Sequence, residues 1–146
     1  MKGFRFRLER VLSWRGTQLT LAEAKAEQLK GTLRATDTAM AELAERRTAA
    51  QGTVGRASTV SGAELDVFER SRVWTIREEK RLTVRKLELQ RSIEEQNRCV
   101  AEARRGVKLV ERLKERKRLI WRGEADREID ELAGESAIAQ WRRFHP

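Results

Sequence analysis

Leu82, Leu89, Ile93, Val100, Ala103, Val107 and Val110 recur at alternating steps of three and four, with Lys86 and Gln96 as polar members of the series. This 3.5-residue period is that of a coiled-coil seam, and it predicts a long amphipathic helix that needs a partner. A second series with the same spacing runs Leu8, Leu12, Arg15, Leu19, Ala22, Ala26, Leu29, Leu33, Thr36, Met40, Leu43, Arg47 and Ala50. Ala22 and Ala26 would let a partner helix approach closely, and Arg15 and Arg47 are expected to carry their guanidinium groups outwards along their stems. After Val110 the phase changes, because Leu113 follows by three and Ile120, Ile129 and Leu132 continue on a displaced stripe. Such a slip predicts local overwinding of a supercoil.

Between the two series lie Gly52, Gly55, Ser58, Ser61 and Gly62, residues that favour a turn over a helix. Ser61 followed by Glu64 has the spacing of a capping box, in which each side chain satisfies a free backbone donor at a helix start. The expected fold class is therefore all-α: a single domain forming a long two-helix antiparallel coiled-coil hairpin with a protruding C-terminal helix. Helix 1 is expected over about 4–50, the turn over about 51–62 and helix 2 over about 63–143. Pairing about the turn's midpoint puts residue i opposite roughly 113 − i, which exhausts the first helix near Leu109. Everything beyond Val110 would then overhang by roughly 50 Å at 1.5 Å per residue.

Composition fits such a helical pair better than a compact core: 38% of residues are charged, 5% are aromatic, and the one proline is Pro146. The formal charge of +9 implies an anionic partner, which could be nucleic acid, an anionic membrane or an acidic protein surface. The charge is banded. Arg104 to Arg122 holds nine Lys or Arg against two Glu, whereas Glu124, Asp126, Glu128, Asp130, Glu131 and Glu135 follow with Arg127 alone opposing them. Lys2, Arg5, Arg7, Arg10 and Arg15 add a second basic cluster at the open end of the expected hairpin. The start has the charge of a signal peptide but no apolar stretch after it, and no segment approaches the roughly 20 apolar residues of a membrane span, so a soluble, intracellular chain is expected.

Chemistry is hard to find. His145 is the only histidine, which leaves no histidine-based triad or metal site to assemble. Cys99 has no second cysteine for a disulfide and reads as an ordinary helix-surface thiol. Glu42 with Arg46 and Glu94 with Arg98 read as four-apart helix support rather than as acid–base pairs. There is no glycine-rich phosphate loop, so the chain is expected to be no enzyme and to use no cofactor or small-molecule substrate. Gly106, Gly123 and Gly134 interrupt the second helix at a cost of roughly 1 kcal/mol each relative to alanine. Trp14, Trp74, Trp121 and Trp141 would be costly on a charged surface unless covered, and Trp121, inside the basic block, reads either as a partner anchor or as packed against the chain's own helix.

The opening Phe4-Arg5-Phe6-Arg7-Leu8-Glu9-Arg10-Val11-Leu12, then Ala22 to Leu29, Val110 to Arg118 and Glu128 to Ala133, resembles in order and spacing the coiled-coil stalk of the bacterial flagellar type III export apparatus, the FliJ family. The resemblance covers nearly the whole chain. It implies an antiparallel coiled coil similar to the central shaft of rotary ATPases, cytoplasmic and peripherally associated with the inner-membrane export apparatus. On that reading Leu8, Leu12, Arg112, Leu113, Arg116, Lys117 and Trp121 would contact the ring of the hexameric export ATPase. Met40, Leu43, Arg47, Leu65, Phe68, Arg72 and Ile76 would face the membrane export gate, and export chaperones are further partners the resemblance admits. The chain departs from the family in lacking aromatics at Leu43, Arg47 and Ala50. A nucleic-acid-binding coiled coil is the alternative from another class, although its interleaved acidic residues and lack of a groove-reading motif count against it. The equivalent stalk of a virulence secretion system is a third reading.

Overall fold

A computed structural model describes residues 2–145, which form two long helices and, among those residues, no strand. The first helix, α1, spans Glu9–Arg56, and the second, α2, spans Gly62–Phe144. This all-helical arrangement is compatible with a helical hairpin.

The limits of α1 differ from the pattern-based expectation at both ends. Residues 4–8 are not helical, and Glu9 begins the helix with its N–H donating to the Phe6 carbonyl at 3.2 Å. Arg5 and Arg7 would place positive charge at the positive end of the helix dipole, whereas Glu9 complements it. At the other end α1 runs through Gly52 and Gly55. Ala50, Gly52 and Val54 are half-buried there, and that burial offsets the two glycines. The connection is thus residues 57–61 alone.

α2 starts where the capping pattern places it. Glu64 N–H donates to Ser61 Oγ at 3.2 Å, and Ser61 N–H donates to a Glu64 carboxylate oxygen at 3.1 Å. Two of the free donors at the helix start are satisfied reciprocally.

The chain divides into two compact units, one of Leu21–Ala101 and the other of the residues up to Thr20 with those from Glu102 onward. In the first unit the buried side chains are Ala26, Thr36 and Leu43 of α1 with Thr75, Leu82, Leu89, Gln96 and Val100 of α2. Leu89 is the most deeply buried, at 2% exposure. Each large apolar side chain so covered contributes roughly 1.5–3 kcal/mol relative to its exposed state. The polar groups that join the two helices run in opposite order along them. Gln96 Nε2 donates to the Ala22 carbonyl at 3.0 Å, Lys86 pairs with Asp37 at 2.8 Å, and Arg47 pairs with Glu79 at 3.4 Å.

In the second unit Val110 is buried, and the Lys114 ammonium pairs with Glu9 at 2.8 Å. Asp37 with Lys86 and Glu9 with Lys114 both follow a register of i beside 123 − i. These two pairs stand ten residues from the 113 − i expectation, and the extension of α1 through its glycines, which moves the middle of the connection to residue 59, accounts for five of them. The neighbour of α2 therefore does not run out near Leu109.

The expected phase change after Val110 is also corrected. Lys114, Trp121 and Ala125 are half-buried, continuing the face of Val110, while Leu113 and Ile120 are 37% and 57% exposed. Ile129 and Leu132 stay at 62% and 60% exposure because no element of the unit remains to cover them. From Asp126 to His145 every residue is exposed.

Candidate functional site

The N-terminal basic segment and the basic block of α2 meet within one unit and build a groove. Phe4, Phe6 and Leu8 of the segment face Leu113, Ile120 and Trp121 of the helix, with Arg5, Arg7, Lys117 and Glu124 at the rim, around a volume of about 660 Å³. Phe4 and Trp121 fix its closed side. Their ring centres lie 6.0 Å apart at 53°, a tilted arrangement that aromatic quadrupoles favour. The Trp121 indole N–H donates to the Lys2 carbonyl at 3.2 Å, so the half-buried ring holds the non-helical segment against α2.

Of the two readings of Trp121, packing on its own chain is the one these contacts describe. Its ring packs on Phe4 and also lines the groove, which is the open surface at this end. Of the residues expected at this end, Leu8, Leu113, Lys117 and Trp121 come together here. Leu12 is half-buried, and Arg112 and Arg116 are exposed on α2 outside the groove. Phe4 and Phe6 complete the wall, and a register of 123 − i would have placed Phe4 beside Leu119 and so near Trp121.

Arg15, expected to extend outwards, instead lies on Gly106. A Cβ at Gly106 would stand 2.5 Å from an Arg15 guanidinium nitrogen, and Arg15 Nε is buried without a hydrogen-bond partner. The absence of a side chain at Gly106 is what admits the guanidinium between the helices.

A second, smaller groove of about 200 Å³ lies in the unit that contains the turn. Leu43, Arg47, Phe68, Arg72 and Ile76 line it, five of the seven residues expected at that end, together with Trp74 and Thr75. Met40 and Leu65 stand outside it. Arg72 is engaged with Glu69 at 3.1 Å and Arg47 with Glu79, so both guanidinium groups are oriented along the rim by carboxylates. Nearby, the Arg81 guanidinium bonds the Glu78 carboxylate, holding that carboxyl below its ordinary range and raising the Arg81 value.

Among the described residues no group of three or more His, Cys, Asp or Glu could hold a metal ion, and no helix is long and apolar enough to cross a membrane. Cys99 is exposed. The His145 ring stacks on Trp141 with centres 5.1 Å apart.

Comparison with family models, with curated proteins and with solved structures returns no match for this chain.

Proposed function

We propose that the chain is a non-catalytic coupling stalk of the flagellar protein export apparatus, an antiparallel coiled coil whose open end inserts into the hexameric export ATPase while its turn-proximal end faces the membrane export gate. The observation that carries this reading is the groove of Phe4, Phe6, Leu8, Leu113 and Ile120 rimmed by Arg5, Arg7 and Lys117. An apolar floor with a cationic rim suits a protein surface that offers an apolar side chain beside carboxylates. The heptad spacing of both helices and the opposed order of their polar links support the coiled-coil geometry.

The mechanism is physical. A pair of helices has no sixfold symmetry, so inside a ring of six subunits it contacts them unequally and biases their nucleotide states. Coupling of that kind requires only differential affinity for the states.

The test is copurification with an export ATPase, followed by ATP turnover measured with the wild-type chain and with Leu113→Ala and Lys117→Glu. Stimulation by wild type that falls at least tenfold in apparent affinity for the double variant is expected. Lack of binding by the wild-type chain, together with steeply salt-dependent binding to DNA, would overturn the proposal in favour of a nucleic-acid-binding coiled coil.

A further inference from the structure

The basic block of α2 has an outward face distinct from the groove. Arg105, Leu109, Arg112, Arg116, Leu119 and Gly123 follow one another by four, three, four, three and four residues, with Lys108 beside them. That spacing sets them along one side of the helix, over roughly 20 Å from Arg105 to Leu119 at 1.5 Å per residue. The covered residues of the same stretch, Val107, Val110, Lys114 and Trp121, lie on the opposite side. Every member of the face is exposed, Leu109 at 67% and Leu119 at 56%, and none of them lines the groove.

The charge of this face is uncompensated. Among the described residues no carboxylate pairs with Arg105, Lys108, Arg112 or Arg116, whereas in the other unit Arg47, Arg70, Arg72 and Lys86 each have one. Glu102 and Glu115 stand at the two edges of the face, and no acidic residue lies within it. Lys108 with Arg112 and Arg112 with Arg116 are like charges four apart, an arrangement that weakens a helix in isolation. An anionic surface against the face removes that cost.

The two leucines decide which anionic surface. Nucleic acid would take the cations but offers its phosphates nothing to set against Leu109 and Leu119. A protein interface is built round a contiguous apolar core, which two leucines ten residues apart among cations do not make. The surface of an anionic bilayer suits both features. Single apolar side chains enter the headgroup boundary there, and long cationic side chains lay their stems along it while their charges meet the phosphates. Four or more Lys or Arg on one helix face are drawn to such a surface.

We propose that this face lies on an anionic bilayer, with Arg105, Lys108, Arg112 and Arg116 on lipid phosphates and Leu109 and Leu119 in the headgroup boundary. The inference goes beyond the coupling role and does not rest on it. Arg105, Lys108, Leu109 and Leu119 have no part in the contacts assigned to the export ATPase.

Cosedimentation of the full chain with vesicles of phosphatidylcholine alone, and of phosphatidylcholine mixed with phosphatidylglycerol in equal parts, tests it. Partitioning onto the mixed vesicles is expected, and at least tenfold less onto phosphatidylcholine alone or at high salt. Arg105→Glu with Lys108→Glu is expected to lower partitioning at least tenfold, and Leu109→Asn with Leu119→Asn at least threefold. Lys25→Glu with Arg34→Glu makes the same change of net charge at exposed positions of α1 and is expected to lower it less than about threefold. Helicity by circular dichroism checks that these exposed substitutions leave the fold in place. No binding to the mixed vesicles, equal binding to both compositions, or a loss with the α1 pair as large as with the α2 pair would each overturn the proposal. So would leucine substitutions without effect, or tighter binding of duplex DNA than of the mixed vesicles at the same salt concentration.

Discussion

Two stretches of α2 are equally helical and have opposite relations to the rest of the molecule. Between Leu82 and Val100 every position of the seam series is buried or half-buried, whereas from Asp126 to Phe144 every residue is exposed. Both stretches lack proline and hold three Glu and three Arg, with leucines in the first and alanines in the second, so intrinsic propensity favours a helix in each. Only the first has tertiary packing behind it. Helix propensity and heptad burial are thus separable here, and single substitutions in the two stretches separate them by energy.

The largest expected effect is Leu89→Ala. With Leu89 buried, its removal leaves a cavity between the helices and is expected to cost about 2–5 kcal/mol in urea unfolding. Leu132→Ala, the same chemical change at an exposed site, is expected to stay within about 0.5 kcal/mol. Equal costs at the two sites would mean that the distal stretch is packed in solution.

Gln96 sharpens the comparison at the next level. Its amide is buried in the seam and donates to the Ala22 carbonyl across the helix pair. Gln96→Ala is expected to cost about 1 kcal/mol or somewhat more, combining a lost hydrogen bond and lost packing. Gln96→Leu fills the space without the polar link, so it is expected to recover much of the stability while loosening the register that one buried polar residue fixes. The measurement is thermal unfolding of the three proteins together with hydrogen exchange along α1.

The seam was legible in the sequence because its signal is a period, and Leu82, Leu89, Gln96, Val100 and Val110 obey it without a break. The capping box of Ser61 and Glu64 was legible for the same kind of reason, being a local bond pattern at fixed spacing. The register was not. Gly52 and Gly55 carry the usual marks of a turn, and only the half-burial of Ala50, Gly52 and Val54 keeps them in the helix. That misplaced boundary accounts for five of the ten residues by which Asp37–Lys86 and Glu9–Lys114 depart from the predicted pairing, and it helped to set Trp121 in an overhang, when it lies beside Phe4. The groove was half legible, since Leu8, Leu113 and Lys117 follow from pattern and resemblance while Phe4 and Phe6 enter only once the register is known.

Glycine substitutions in α2 probe the same contrast more gently. Gly123→Ala meets open space and is expected to add up to about 1 kcal/mol of helix propensity, read as increased helicity and slower exchange around that site. Gly106→Ala gains the same propensity but must displace the Arg15 guanidinium. Because that group is the far end of a flexible side chain and its Nε has no partner to lose, the net effect is expected to remain stabilising, by about half as much. A destabilised Gly106→Ala would show that the half-buried Arg15 contributes packing of its own.

The smallest expected effect concerns pH. The hydrogen bond from Arg81 lowers the Glu78 carboxyl below its ordinary value, and Glu78 sits three residues from the buried Thr75 and four from the buried Leu82. A carboxyl whose folded value is depressed binds its proton more readily in the unfolded chain. Its contribution is therefore fully present above the unfolded value and is lost as pH falls through the folded one. Glu78→Gln is accordingly expected to leave unfolding at neutral pH almost unchanged, since Glu78 is only half-buried, its Arg81 partner is exposed, and solvent screens the pair. It is expected to flatten the loss of stability on acidification only slightly. Measuring urea midpoints of wild type and Glu78→Gln across the acid range isolates the effect, and a large difference persisting at high salt would mean that this pair is shielded by a neighbouring chain.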